Sequence, residues 1–232
     1  MSFMKNIACP RCRKQGRDRN GDNLATYSDG GFWCWACGFT KKGRPTLPVE
    51  AEDEALEPFS RWTKGLPSHH LENLLERGFK PSELTEFLYD SYWDRRIYPV
   101  YSGERLVFYE ARSLDKTPKA IQKGEKPIHI LGSGKNLVVV EDLLSAIKVA
   151  RYTQSMPLWG SSLNPAWFET LKGLRCPIHF WLDADKYATA LKMSNRMELI
   201  GVESEVIRTD EDPKDLDDET IRTAVSRTAQ CY

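Results

Sequence analysis

Two apolar runs that each end in an acidic residue place the strongest constraint on the fold of this chain. One run is LVVV at 137–140, followed by Glu141, and the other is IHFWL at 178–182, followed by Asp183. Runs this apolar are typical of strands buried on both faces. Segments with helical periodicity follow each run, and shorter predicted strands lie at 156–160 and 203–209. This alternation of strands and helices predicts an α/β domain with a parallel sheet.

The chain before this domain has a different pattern. Residues 69–79 and 81–90 are predicted as short helices, because leucines recur at helical spacing. Residues 96–102 and 105–113 are predicted as paired strands that the turn residues Ser102 and Gly103 connect. We therefore expect a mixed α+β subdomain at 58–132, followed by the parallel α/β domain at 133–232.

The acids that follow the two apolar runs predict a metal site. Asp183 and Asp185 face the same side if the extended geometry continues past the strand. Glu141 should lie near them, because the carboxyl ends of adjacent parallel strands meet at one edge, where open α/β sheets bind ligands. Clustered carboxylates repel one another unless they share a cation. Oxygen ligands suit Mg²⁺ or Mn²⁺, which would activate an attacking hydroxyl and neutralise a leaving pyrophosphate.

The acidic segment TDEDPKDLDDE at 209–219 follows the last predicted strand. It could supply a further ligand from Asp210, Asp212 or Asp215. Helix capping is the alternative explanation for Asp142 and Asp185. Capping does not explain Glu141 and Asp183 equally well, since both directly follow apolar strands.

Four cysteines predict a second, different metal site near the N-terminus. CPRC at 9–12 and CWAC at 34–37 are two pairs at the spacing of zinc knuckles. The predicted zinc ligands are Cys9, Cys12, Cys34 and Cys37. Four thiolates complete a tetrahedron and leave no open position, so this zinc should be structural. The segment is too small and polar to fold on an apolar core alone, and ordinary buried thiols are the alternative.

The same segment is predicted to contact single-stranded DNA. Residues 1–44 contain nine Lys or Arg against three Asp. Trp33 and Trp35 could stack on unpaired bases, and Arg11 and Arg13 could contact phosphate. The alternative is that the tryptophans pack against the zinc site and the charges only increase solubility.

Composition limits the remaining possibilities. The net charge is zero, so any nucleic-acid contact must be local. There is no apolar run long enough to span a membrane and no apolar signal sequence at the start, which predicts a cytoplasmic protein, in a host cell if the chain is viral. Residues 45–57, with two prolines and five acids, are predicted to link the zinc ribbon at 1–44 to the rest.

Three motifs resemble the signatures of the TOPRIM family of bacterial-type primases, topoisomerases and certain nucleases. They are VVVED with SAIKVA, FWLDADKYA, and EDPKDL. The resemblance implies that Glu141, Asp183, Asp185 and the turn around Asp212 and Asp215 hold the catalytic metal. The chain departs from the family at Asp142, where a glycine is common, and after Asp185, where Ala-Gly is common.

The order of segments is similar to the primase half of bacteriophage primase-helicases, and this resemblance covers nearly the whole chain. It implies that Arg112 and Lys119 match basic residues that grip the incoming nucleotide and the template. Lys116, Lys123 and Lys126 lie in the same segment and could also face phosphate, although a solvated basic loop is the alternative.

We therefore expect a primase that makes short oligoribonucleotides on single-stranded DNA from nucleoside triphosphates, with Zn²⁺ and with Mg²⁺ or Mn²⁺. The sequence shows no helicase motor, so a complete protein of this length would need a separate replicative helicase. A TOPRIM nuclease or a topoisomerase-like enzyme is one alternative. A non-catalytic zinc-ribbon protein that binds nucleic acid is the other.

Overall fold

A computed structural model describes residues 3–27, 30–41, 56 and 58–228. The chain divides into two compact units, Met1–Glu54 and Ala55–Tyr232. Of the predicted linker at 45–57, only residue 56 is among the described residues. The predicted domain boundaries stay predictions.

Four short strands and one helix of five residues form the described part of the first unit. They are β1 (Phe3–Ile7), α1 (Pro10–Lys14), β2 (Leu24–Tyr27), β3 (Phe32–Cys34) and β4 (Thr40–Lys41). The strands pair in the order β1-β2-β3-β4, and every pair is antiparallel. The buried cluster of this unit consists of three cysteines and Leu24, with aromatic side chains packed around it. The interior of the unit is thus built mainly around the cysteines.

The second unit begins with an antiparallel sheet of five strands and a helix. The elements are β5 (Trp62–Lys64), α2 (Ser68–Glu76), β6 (Leu88–Asp90), β7 (Arg95–Ser102), β8 (Arg105–Arg112) and β9 (Ala120–Gly124). The sheet has the order β5-β6-β7-β8-β9. The predicted helix α2 and the predicted pairing of β7 with β8 are confirmed.

The helix predicted at 81–90 is wrong. A single 3-10 turn forms at Pro81–Glu83, and the chain then enters β6, which pairs with β7. Leucines at helical spacing suggested the helix, but the backbone groups of Leu88 and Asp90 are used by the sheet instead. Tertiary strand pairing overrides local periodicity here.

The parallel part of the second unit has three strands and four helices. They are β10 (Leu137–Val140), α3 (Leu143–Val149), β11 (Gln154–Pro157), α4 (Phe168–Gly173), β12 (Ile178–Trp181), α5 (Tyr187–Leu199) and α6 (Asp218–Thr228). The strands are parallel in the order β11-β10-β12. The strand predicted at 203–209 is reduced to a bridge between Val206 and Phe180.

The central strand β10 is buried on both of its faces, as its composition predicts. Leu137 and Val139 belong to the larger apolar core, which also includes side chains of the antiparallel sheet. Val138 and Val140 point into a smaller core with Ile221 of α6. The strand therefore has no exposed face on which a polar side chain would be tolerated, and the first acid comes only after it ends.

The predicted fold class is confirmed. The chain is α/β, with a small N-terminal β unit that contains a buried four-cysteine cluster, an antiparallel mixed region and a parallel sheet covered by helices. Among the described residues, no helix is both long enough and apolar enough to cross a membrane.

Candidate functional site

The four predicted zinc ligands lie together in the first unit. The sulfur atoms of Cys9, Cys12, Cys34 and Cys37 all lie within 4.8 Å of one another. Two Sγ–Sγ distances, Cys9 to Cys37 and Cys12 to Cys34, are 3.7 Å. Thiolates bound to zinc at ~2.3 Å in a tetrahedron would be about 3.8 Å apart. The cluster therefore has the size and donor chemistry that Zn²⁺ requires.

The backbone around the cluster is fixed by a buried acid. Asp18 accepts hydrogen bonds from the backbone N–H groups of Cys9, at 2.6 Å, and Asp22, at 3.1 Å. Burial and hydrogen bonds from the other three thiols raise the pKa of Cys12 to about 12. A bound cation would oppose this effect and favour the thiolate form of Cys12.

The predicted DNA-contacting side chains of this unit lie outside the cysteine cluster. Trp33 and Trp35 are 47% and 45% exposed, and neither belongs to the apolar cluster around the cysteines. Arg13 is exposed, whereas the guanidinium of Arg11 lies 4.5 Å from the centre of the Phe39 ring. Both tryptophan side chains are thus partly available for stacking on bases. The alternative, that they only pack against the zinc site, would not require this exposure.

In the second unit, strand register brings Glu141 and Asp183 to one edge of the parallel sheet. Val140 pairs with Trp181, so Glu141 and Leu182 are the next residues beyond the two strands. The Gly160 N–H donates to the Glu141 carbonyl oxygen at 3.1 Å, which fixes the backbone of Glu141 from the β11 side. The two acids therefore come to the edge by sheet topology, although they are 42 positions apart in the sequence.

The predicted extended geometry does not continue to Asp185. A 3-10 turn spans Ala184–Lys186, and Asp185 lies within it. Its side chain is 71% exposed and pairs with Lys186 at 2.6 Å. The charge of Asp185 still contributes to raising the pKa of Glu141. Asp185 therefore lies at the solvent side of the edge, and its role as a ligand stays a prediction.

A lysine that the sequence did not single out lies among the acids. The Nζ atom of Lys214 lies 2.6 Å from Asp212 Oδ2, 3.0 Å from Asp142 Oδ2 and 4.0 Å from Asp183 Oδ2. Burial alone would lower the pKa of Lys214, but the surrounding carboxylates raise it above its ordinary value. The lysine remains charged and neutralises part of the cluster. Its position between two acids in DPKD was the available signal.

Asp142 has a structural role in this arrangement. It caps α3 by accepting a hydrogen bond from the Ser145 N–H at 2.9 Å, and it is buried beside Lys214. Burial raises its pKa, but Lys214 and Arg112 outweigh this effect and lower the pKa below its ordinary value. The capping alternative thus describes Asp142 well. The Asp142 side chain is an ionised helix cap.

Glu141 and Asp183 have oxygens that lack any partner. Glu141 Oε2 and Asp183 Oδ1 are buried and accept no hydrogen bond from the described residues. Burial raises the pKa of Asp183 to about 7, and Glu141 adds to this effect while Lys214 opposes it. Burial, followed by the charge of Asp142, also raises the pKa of Glu141. Unpaired buried carboxylate oxygens are costly unless a cation compensates them.

The donor set at this edge fits Mg²⁺ or Mn²⁺, because every candidate ligand is a carboxylate oxygen. The arrangement differs from that of the cysteines in one respect. Among the described residues, no three acids at this edge bring ligand oxygens within 4.8 Å of one another. An ion here would be held by few protein ligands, with room left for water and phosphate, as Mg²⁺ sites commonly are.

Of the predicted basic residues, Arg112 acts on the acidic edge. It donates from Nε to Glu110 Oε1 at 2.8 Å, and its charge lowers the pKa of Asp142. Lys116 donates to the Trp93 carbonyl oxygen at 2.9 Å. Lys119 and Lys123 are exposed, and no ion pair among the described residues connects them to the edge. The structure thus associates Arg112, but not these lysines, with the acids.

Comparison with solved structures gives a distant likeness to a bacteriophage protein. A chain of a solved bacteriophage T7 structure aligns with 98% of this chain and 97% of its own length, at 14% sequence identity and a TM-score of 0.46. That structure is of the lagging-strand DNA polymerase interacting with primase domains of two gp4 subunits bound to an RNA/DNA hybrid and dTTP. No family model and no curated protein matches the chain. A functional assignment therefore depends on the residues described above.

Proposed function

We propose that this protein is a DNA primase that synthesises short oligoribonucleotides on a single-stranded DNA template. The observation that carries the proposal is the pair of buried, unpartnered carboxylate oxygens on Glu141 and Asp183. They lie at the carboxyl edge of a parallel sheet, in motifs that resemble those of TOPRIM primases. The four-cysteine unit that precedes the sheet is the second feature that favours a primase over other enzymes with this fold.

The residues at the edge would divide the work of nucleotidyl transfer. Glu141 and Asp183 would hold a divalent ion, with Asp185 and Asp212 as further ligands. Mg²⁺ or Mn²⁺ bound there would supply the charge that activates a 3′-hydroxyl and neutralises the departing pyrophosphate. Glu141 could instead act as the general base, and the geometry is compatible with both roles.

The basic residues would orient the substrates. Arg112 lies where its charge reaches the acidic edge, so it would face the triphosphate of the incoming nucleotide. Lys119, Lys116 and Lys123 would contact the template or the nucleotide when these are bound. In the first unit, zinc held by the cysteines would maintain the fold that presents Trp33 and Trp35 to unpaired bases. A separate replicative helicase would be the partner of such an enzyme.

The proposal is tested by primer synthesis with template, ribonucleotides and Mg²⁺. Asp183→Ala should reduce product formation by about a thousandfold, because it removes an electrostatic contact made in the transition state. Glu203→Gln is the matched control, since Glu203 is an exposed acid beside the opposite end of β12. It should leave synthesis unchanged.

The outcomes separate the alternatives. Template degradation without nucleotide addition would indicate a nuclease. DNA binding with no product, and no Mg²⁺ binding that depends on Asp183, would indicate a non-catalytic binding protein. Wild-type synthesis by Asp183→Ala would show that the assigned site is wrong.

A further inference from the structure

A second cluster of potential metal ligands lies in the antiparallel part of the second unit, on elements that do not carry the acidic edge. His69 and His70 are in the first turn of α2, and Asp94 is in the turn between β6 and β7. His69 Nε2 lies 2.9 Å and His70 Nε2 lies 3.3 Å from the same Oδ1 atom of Asp94. The three ligand atoms all lie within 4.8 Å of one another.

These distances match those around a bound transition metal. Zinc binds histidine nitrogen and carboxylate oxygen at ~2.0–2.2 Å. Two such ligands are about 2.9 to 3.4 Å apart when the angle at the metal is between right-angled and tetrahedral. Both nitrogen–oxygen distances at Asp94 fall in this interval. Each histidine nitrogen is therefore already spaced from Asp94 as two ligands of one ion are.

The burial of His70 is not explained by a simple ion pair. His69 forms a hydrogen bond with Asp94, which accounts for that ring alone. The His70 ring is fully buried, and neither of its nitrogens has a hydrogen-bond partner among the described residues. Burying a polar group without a partner is unfavourable. A metal at the cluster would give the Nε2 atom of His70 the ligand it lacks.

Neighbouring groups hold Asp94 in position. The Tyr89 hydroxyl donates to Asp94 Oδ1 at 2.6 Å, as outer-shell donors commonly do for ligating carboxylates. Asp94 also has a positive φ of 48°, a conformation that aspartate tolerates better than most residues. The conformation of the turn thus positions this carboxylate beside the two histidines.

One positive charge near the cluster opposes a bound cation. It is the guanidinium of Arg96, which donates a hydrogen bond to the side-chain oxygen of Asn73.

We propose that His69, His70 and Asp94 bind one divalent transition-metal ion, of which Zn²⁺ is the type. The exposed side of the cluster, where the side chains of His69 and Asp94 are 51% and 31% accessible, would admit water as the remaining ligand. The ion would link the start of α2 to the β6–β7 turn. The proposal does not depend on the proposed function, because none of these residues belongs to the acidic edge.

The test is titration of the metal-free full-length chain with Co²⁺, followed by absorption. Cobalt bound by cysteine thiolates gives an intense charge-transfer band, whereas cobalt bound by histidine and carboxylate gives only weak visible bands. With Mg²⁺ in excess to occupy the acidic edge, we expect two equivalents of bound Co²⁺, one of each kind. His69→Ala and Asp94→Asn should each lower the affinity for the Co²⁺ ion that gives only weak visible bands by at least tenfold. Neither variant should change the intense thiolate band.

Glu72→Gln is the matched control, since Glu72 is an exposed acid on the same helix but outside the cluster. It should bind both equivalents as the wild type does. His69 is about half exposed, so its loss should not unfold the chain, and circular dichroism of each variant checks this. The proposal is overturned if the wild type binds only the thiolate equivalent, if the second binds only at millimolar Co²⁺, or if both variants keep it.

Discussion

The cysteine cluster and the acidic edge are both candidate metal sites, but the chain assembles them in different ways. The cysteines come from two local knuckles, and all four sulfur atoms are already within ligand distance of one another. The acids come from separate strands and a later turn, and Lys214 lies among them. A site whose ligands are close in sequence is specified by spacing, whereas a site assembled by the sheet depends on register and on which charges the loops add.

The largest expected effect is unfolding of the first unit when one of its cysteine ligands is removed. Cys34→Ser should remove the zinc equivalent that the first unit binds and unfold this unit, because structural zinc contributes about 10 kcal/mol or more to the folding of such small domains. Zinc content and limited proteolysis measure the two effects. Cys176→Ser is the control, since Cys176 packs against the core of the second unit. If Cys34→Ser keeps the zinc content of the wild type, the four cysteines do not form the preassembled zinc site that distinguishes the first unit from the acidic edge.

Lys214 offers the next test, because it has no counterpart in the cysteine cluster. Lys214→Met leaves the buried carboxylate of Asp142 without its cation, and removing one partner of a buried ion pair costs about 3–5 kcal/mol. The variant should be less stable without metal and should gain more thermal stability from Mg²⁺ than the wild type. Differential scanning calorimetry with and without Mg²⁺ measures both quantities.

Lys186→Met is the matched control for this prediction. Lys186 forms an ion pair with the exposed Asp185, and pairs of this kind contribute about 1 kcal/mol or less. If both lysine variants lose the same stability, the internal neutralisation of the acidic edge by Lys214 is refuted.

The sequence predicted the parts of the molecule that depend on local pattern. The clustering of the four cysteines and the buried strand at 137–140 are confirmed, since each prediction needs only a short stretch of sequence. The 3-10 turn that carries Asp185 away from extended geometry was missed, because nothing in DADKY distinguishes a turn from a continuing strand. Lys214 was missed because its partners include Asp142, which is 72 positions earlier and reaches it only through the fold.

A smaller effect concerns the pH dependence of stability, which should separate the acidic edge from the rest of the unit. The pKa of Asp183 is raised from 3.8 to about 7, so the ionised form is disfavoured in the folded state. The free energy of unfolding therefore falls as the pH rises above 3.8, and this loss of stability is complete above about pH 7. The shift corresponds to about 4 kcal/mol, and solvent at the edge of the sheet screens part of it. Asp183→Asn should therefore be more stable than the wild type by about 2 kcal/mol at pH 8 without divalent ions, and equal to it below pH 4.

Urea unfolding at several pH values measures this difference. Adding Mg²⁺ at pH 8 should reduce it, because only the wild-type carboxylate can bind the ion. A difference between Asp183→Asn and wild type that is the same at pH 4 and pH 8 would contradict the assigned shift.

The smallest expected effect asks whether the first unit contributes DNA contacts that the acidic edge does not. Trp33→Ala and Trp35→Ala should each weaken single-stranded DNA binding by about 1–2 kcal/mol, which is roughly tenfold, because each removes one stacking surface. Fluorescence anisotropy with a labelled oligonucleotide measures the affinity, and zinc content confirms that the unit remains folded. Trp93→Ala is the control, since Trp93 is 50% exposed but belongs to the second unit. Equal losses in all three variants would show that exposed aromatic side chains contribute regardless of place, whereas a loss confined to Trp33 and Trp35 would assign template contact to the cysteine unit and leave catalysis to the acids.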